Sequence, residues 1–191
     1  LRKIRTRKHK AQSPAAARKQ LAVLIKLPHW KKTRLEKIGA PQKRRDCTVQ
    51  HYRLHLDGAW TLPLSECTPP RAAGTALVLA DGGRRASAGL VFAALAQGRR
   101  VFAADIFGTG ALAADHRHHM LIGTAGQRPL GIQVGQVLAL LAAIGKRGAP
   151  QITASGQVLP IVALIAAALK PKAIAALTTH TLLDSLGRLV D

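Results

Sequence analysis

From Ala76 onward the sequence repeats one rhythm: a short unbroken aliphatic run, a glycine-bearing turn, then a longer stretch with helical periodicity. Ala76–Ala80 is followed by Asp81-Gly82-Gly83 and a helical stretch to about Gln97, where Gly98 supplies a C′ glycine. Arg100–Ala104 runs into Asp105-Ile106-Phe107-Gly108-Thr109-Gly110, and after a polar loop a helix is expected from about Leu130 to Ile144. Its apolar positions Ile132, Val134, Val137, Leu138 and Leu141 cover a wide face. Gln151–Ala154 then reads as a strand, Val158–Leu169 as a helix and Ala173–Thr178 as a further strand. Ala76–Ala80 is a short, continuous apolar run, and repeated strand–helix units of this kind imply a parallel sheet with right-handed crossovers. Aromatics are scarce, at 3%, and short aliphatic side chains suit strands and helices packed in layers. The fold expected is α/β, three layers, with a mostly parallel sheet.

Before Ala76 the period is two. Tyr52-Arg53-Leu54-His55-Leu56 alternates apolar with polar, Asp57-Gly58-Ala59 turns the chain, and Trp60–Leu64 alternates again. That pattern is an antiparallel hairpin with one buried face, in which Tyr52, Leu54 and Leu56 face Leu64, Leu62 and Trp60. The same register makes Cys47 and Cys67 diagonal neighbours on the opposite face, too far apart for an unstrained disulfide, so two free thiols are expected. Further upstream, Ser13-Pro14 reads as an N-cap with proline at the first helical position, opening a helix that runs to about Leu27 and stops at Pro28. His29–Arg45, punctuated by Gly39 and Pro41, reads as largely irregular.

The net charge of +20 is unevenly spread: residues 1–45 carry 16 of the 29 Lys and Arg and one acid, Glu36. Residues 1–45 are therefore expected to form a basic arm with a short helix, separable from an α/β domain over residues 46–191. Such an arm would be attracted to a polyanion, whether nucleic acid or an anionic surface, or would simply lie solvated over the domain. Base-stacking aromatics and nucleic-acid motifs are lacking, which weighs against a nucleic-acid-binding module. No apolar run approaches the roughly 18–20 residues needed to span a bilayer; Val158–Leu169 is too short and contains Pro160. Leu21–Ile25 is cut by Lys26 and makes no secretory core, and the chain opens on Leu, so an upstream start or a processed leader is expected to be invisible here.

In an open α/β sheet, ligands bind beyond the carboxyl ends of the strands. Asp81-Gly82-Gly83 exposes backbone N–H groups suited to an oxyanion or a phosphate, or else is a tight strand-to-helix turn that needs only backbone freedom. Asp105–Gly110 forms a second such end. Ala154-Ser155-Gly156-Gln157-Val158 forms a third, a small-residue turn of the kind that carries a nucleophile elbow.

Taken together, these features resemble the α/β-hydrolase family, and within it the bacterial acetylxylan-esterase-like and dienelactone-hydrolase-like branch. The likeness runs from about residue 15 to the end, through the hairpin, Asp81-Gly82-Gly83, Asp105–Gly110, and Gly126-Gln127-Arg128-Pro129-Leu130-Gly131-Ile132-Gln133 entering a helix. It implies hydrolysis of a carboxylic ester, such as an acetyl group on a small molecule or carbohydrate, with no cofactor and no metal. An extracytoplasmic location is compatible with it. By the resemblance, Gly82 and Gly83 would hold the oxyanion, Ser155 would attack, and Asp81, Asp105 and His180 would border the substrate.

The elbow departs from the family pattern. The nucleophile position falls on Gly156 if Ala154 replaces the first glycine, or on Val158 if Gly156 is that glycine, and neither can attack a carbonyl. Ser155 lies one position from the tip. The family would also need two strands beyond Asp191 to bring the acid and histidine, so a complete triad is not expected and little or no esterase activity is predicted. Three histidines lie in Asp115-His116-Arg117-His118-His119, but in a predicted loop beside a positive charge they are not expected to hold metal. His51 and His55 fall on the polar face of the hairpin.

Overall fold

The structure, a computed structural model, describes residues 13–181. Among the described residues seven strands form one mixed sheet in the order β1-β2-β3-β5-β4-β6-β7. β1 (Thr33–Lys43), β2 (Thr48–Leu56) and β3 (Trp60–Thr68) are an antiparallel ribbon, and β3 joins β5 (Arg100–Ala104) antiparallel. β5, β4 (Thr75–Ala80), β6 (Gln151–Ser155) and β7 (Ala176–His180) are mutually parallel.

The alternation of side chains across the strands assigns the layers. Leu77, Leu79, Phe102, Ile152 and Ala154 point to one face, where they pack with the helices α5 (Pro129–Ile144) and α6 (Leu159–Leu169). Ala76, Val78 and Val101 point to the other face and meet α3 (Ala88–Ala96) through Leu90, Val91, Ala94 and Leu95. All six residues of β4 are buried, as the unbroken apolar run requires. The hairpin adopts the expected register, Tyr52 opposite Leu64, Leu54 opposite Leu62 and Leu56 opposite Trp60, and all four leucines are fully buried. Both cysteines are free thiols.

The largest departure from expectation is upstream. Residues 29–45 are not irregular: they supply β1, which pairs with β2 from Thr33 opposite Leu56 to Lys43 opposite Thr48. An edge strand needs only backbone partners, so it shows no apolar alternation, and its side chains are almost all exposed. Gly39 and Pro41 mark a bulge rather than a break. The register shifts between Ile38 and Gln42, Gly39 sits at φ +65°, and the buried Gln50 amide bridges the gap by donating to the Ile38 and Gly39 carbonyls. The boundary drawn at residue 45 thus falls between two hydrogen-bonded strands of one sheet. α1 (Pro14–Leu24), capped by the Ser13 hydroxyl, is also tied in: Arg18 Nε donates to the Ala168 carbonyl at 3.0 Å, and Ile25 is buried against the main core. It ends a turn earlier than expected because Lys26 turns left-handed at φ +50°.

Smaller corrections follow the same logic. The stretch after β4 is two helices, α2 (Gly83–Ala86) and α3, separated by the buried Ser87. The histidine tract lies on a helix, α4 (His116–Thr124), and not in a loop: Asp115 caps it, accepting the His118 N–H and pairing with the His118 ring. β7 begins three residues later than expected, after a 3₁₀ turn at Pro171–Ala173. Among the described residues no helix is long and apolar enough to cross a membrane.

Candidate active site at the carboxyl ends of the strands

The carboxyl ends of β4, β5, β6 and β7 bring the predicted site residues to one edge of the sheet, but in two separate groups. The first is built on Asp81. Its carboxylate reaches across to the turn after β6, where Oδ2 accepts the N–H groups of Gln157 (2.6 Å) and Val158 (3.0 Å), and Oδ1 accepts that of Leu159 (2.9 Å). Those are the orphan donors at the start of α6, and a negative charge there is also favoured by the helix dipole. Gly156 is the tip of this turn, at φ +117°, whereas Val158 is already helical at φ −95°, ψ −50°. A Cβ on Gly156 would overlap the Asp81 carboxyl group. The Gly156 N–H in turn donates to the His180 carbonyl and to the Thr181 hydroxyl.

Ser155 is the last residue of β6, opposite Ala80 on one side and His180 on the other. It projects from the face opposite Ile152 and Ala154, half-buried, one residue before the tip. His180, its register partner, is exposed, and among the described residues no hydrogen bond joins the Ser155 hydroxyl to the His180 ring.

The second group is built on Asp105, which is 2% exposed. Oδ1 accepts the Arg84 backbone N–H (2.6 Å); Oδ2 accepts the Arg84 Nε (3.0 Å) and the Ala111 N–H (3.1 Å). Arg84 continues to the Ser65 hydroxyl on β3 at 3.0 Å. Gly83, at φ +76°, and Gly110 are pressed together over this carboxylate; a Cβ on either would overlap it. Gly82 is exposed and borders a cleft of about 640 Å³ with Arg84, Arg85 and Ala111. Among the described residues neither the Gly82 nor the Gly83 N–H has an acceptor.

The Asp105 loop is also clamped from behind. Gln136, fully buried on α5, accepts the Phe107 N–H (2.8 Å), while Gln133 donates to the Phe107 carbonyl (3.0 Å). The Phe107 ring packs edge-on to Trp60 and against His119. Sequence reasoning passed over Arg84 and Gln136, and named Gln133 only as the end of the run entering the helix. The signal was present: two glutamines three apart in an otherwise apolar helix are polar groups that burial obliges to find partners.

No family model and no curated protein matches the sequence, but solved structures do match the fold. A provisionally assigned acetyl xylan esterase from Bacteroides fragilis superposes with a TM-score of 0.68 at 14% identity, covering 86% of this chain and 51% of the other. This chain has an α/β-hydrolase fold. Acetyl Xylan Esterase 1 from Thermoanaerobacterium sp. JW/SL YS485 (TM-score 0.57, 13% identity, 86% and 56% covered) agrees. So does the acetyl xylan esterase from Paenibacillus sp. R4 (0.56, 14%, 86% and 58%). The chain spans about half the length of these esterase structures. In an α/β-hydrolase fold the nucleophile stands at the tip of the strand-to-helix turn, and the N–H of the next residue binds the oxyanion together with a donor from the loop after an earlier strand. In the turn after β6 of this chain Gly156 has the positive φ, and the N–H of Gln157 donates to Asp81.

Proposed function

We propose that this chain is a domain of carboxylic ester hydrolase type, related to acetyl esterases, in which hydrolysis at the elbow has been lost. The observation that carries the proposal is Asp81. Its carboxylate lies where an oxyanion would accept the Gln157 N–H, and it fills the space that any side chain at position 156 would need. Two changes thus support each other: a glycine in place of a nucleophile makes room for an internal anion, and the internal anion keeps that position a glycine. Ser155 is an inefficient substitute, because a hydroxyl one residue before the tip belongs to the strand and not to the turn. Gly82, on the rim of the cleft beside Arg85, still offers a backbone donor, so an ester carbonyl or a carboxylate product could be held there without being cleaved, whereas Gly83 is buried against Gly110.

The test is hydrolysis of p-nitrophenyl acetate by the purified chain, with Ser155→Ala alongside. Both proteins should match the rate of buffer alone. Turnover that disappears in Ser155→Ala would make Ser155 a nucleophile and overturn the proposal.

A further inference from the structure

On the sheet face that carries α3, the antiparallel ribbon extends past the helix and leaves a groove of about 730 Å³. Val49 and Cys67 are register partners on β2 and β3, Cys67 is in turn opposite Val101, and Ala103 lies two residues along on the same face. Val49, Cys67 and Ala103 make the floor; Val91, Phe92 and Leu95 of α3 make the wall. Phe92 is 70% exposed, and its ring lines the open groove. A volume of this size is ordinary for a small-molecule site, and the lining is mostly apolar.

The mouth is charged, and unequally. Arg44, Arg45 and Arg84 line it with a single acid, Asp46. Arg84 is already paired with Asp105, and the Arg44 guanidinium donates to a neutral group, the Gln42 amide oxygen, at 3.0 Å. Among the described residues Arg45 has no acceptor. The two thiols inside the groove add no charge at neutral pH on the side of Cys67, since burial, reinforced by Cys47 beside it, pushes that thiol up to about 11. Apolar walls closed by an uncompensated cationic end define an amphiphile with one negative head.

We propose that this groove binds a medium-chain fatty acid anion, its alkyl tail between α3 and the ribbon and its carboxylate at Arg44 and Arg45. Arg84 and Ser65 border both this groove and the cleft beside Gly82, but Arg44, Arg45 and Phe92 line the groove alone, and on these three the inference is tested apart from the esterase reading. A neutral chain of the same length would gain the apolar contacts alone, and a cationic one would meet like charge at the mouth.

Dodecanoate below its micelle concentration, titrated calorimetrically into the full chain at low ionic strength, is the probe. It should bind saturably at one site per chain, at least tenfold more tightly than dodecyltrimethylammonium. Arg45→Glu should weaken dodecanoate about tenfold and Phe92→Ala several-fold; both side chains are exposed, and unchanged circular dichroism melts would verify that the variants fold. Location is read independently, because bound dodecanoate should slow alkylation of Cys47 and Cys67 by iodoacetamide. Absence of saturable binding, equal affinity for the cationic amphiphile, indifference to Arg45→Glu, or thiols alkylated at the same rate with and without ligand would each overturn the proposal.

Discussion

Asp81 and Asp105 follow adjacent parallel strands, both precede glycine-rich turns, and both carboxylates turn inward, yet they solve different problems. Asp81 meets only peptide N–H groups, three of them, all at the start of one helix 76 to 78 residues away. It is half-exposed, and its charge is answered by backbone dipoles. Asp105 is almost wholly buried and is answered by a guanidinium as well as by two N–H groups. The first is a helix cap reaching across the sheet; the second is an ion pair that locks two turns together. The comparison teaches that a D-G-G or D-x-x-G-x-G turn at a strand end need not present its carboxylate to a ligand. In both turns the glycines are required by the protein's own aspartate, since a Cβ at Gly83, Gly110 or Gly156 would overlap it.

The sharpest way to break this contrast is to remove each carboxylate in turn. Asp105→Ala should cost about 4 kcal/mol in chemical denaturation, because breaking a buried ion pair leaves the remaining charge uncompensated. Gly156→Ser comes next, at roughly 3 kcal/mol, from backbone strain at a positive φ and overlap in a filled site. The overlap, unlike the strain, should vanish in an Asp81→Gly background. A double-mutant cycle should therefore show the two substitutions coupled by at least about 1 kcal/mol, and strict additivity would mean that Asp81 does not hold position 156 closed. Asp81→Ala alone should cost about 2 kcal/mol, the upper range for an N-cap, since three donors lose one acceptor. If Asp81→Ala proved as damaging as Asp105→Ala, the distinction between cap and ion pair would fail.

Much of this architecture was legible because it rests on local periodicity. The apolar run at 76–80 and the short run at 100–104 read as strands and are strands, and the two-residue alternation around Asp57-Gly58 indicated the hairpin register that the structure has. β1 was not legible, because an exposed edge strand is held by backbone bonds and leaves its side chains free to be charged. The site was legible in position and not in wiring. Asp81, Gly82, Asp105, Ser155 and Gly156 lie at or just after the carboxyl ends of β4, β5 and β6, and which group each carboxylate accepts from depends on contacts across the sheet that no local pattern encodes. Of the two positions the sequence offers for an elbow tip, Gly156 has a positive φ and Val158 a helical backbone.

A third carboxylate, Glu66 on β3, extends the comparison and yields the smallest of the expected effects. Like Asp105 it pairs with an arginine, Arg100, but its remaining partners are hydroxyls: Tyr52 at 2.6 Å and Thr68 at 2.7 Å. Burial pushes its pKa up, but the hydrogen bonds from Arg100, Tyr52 and Thr68 outweigh it and hold Glu66 below the usual carboxylate range. Tyr52 moves the other way: burial, then its bond to Glu66, pushes it up to about 12. A phenol that keeps its proton more tightly folded than unfolded adds stability that is complete below its ordinary value of 10 and is lost as pH rises from there to about 12. Tyr52→Phe should therefore cost roughly 1 kcal/mol at pH 7, for one hydrogen bond. It should also flatten the part of the alkaline decline that lies between about pH 10 and 12. On the acid side Glu66 contributes stability that is present above the carboxylate's ordinary value of 4.5 and is lost as pH falls through its lowered folded value; without the Tyr52 hydroxyl the folded value moves toward 4.5, so that acid limb should be shallower and end at higher pH. Denaturant melts of the wild type and Tyr52→Phe across both limbs check the pair of signs. A variant whose alkaline limb matched the wild type would show that folding does not raise the Tyr52 phenol.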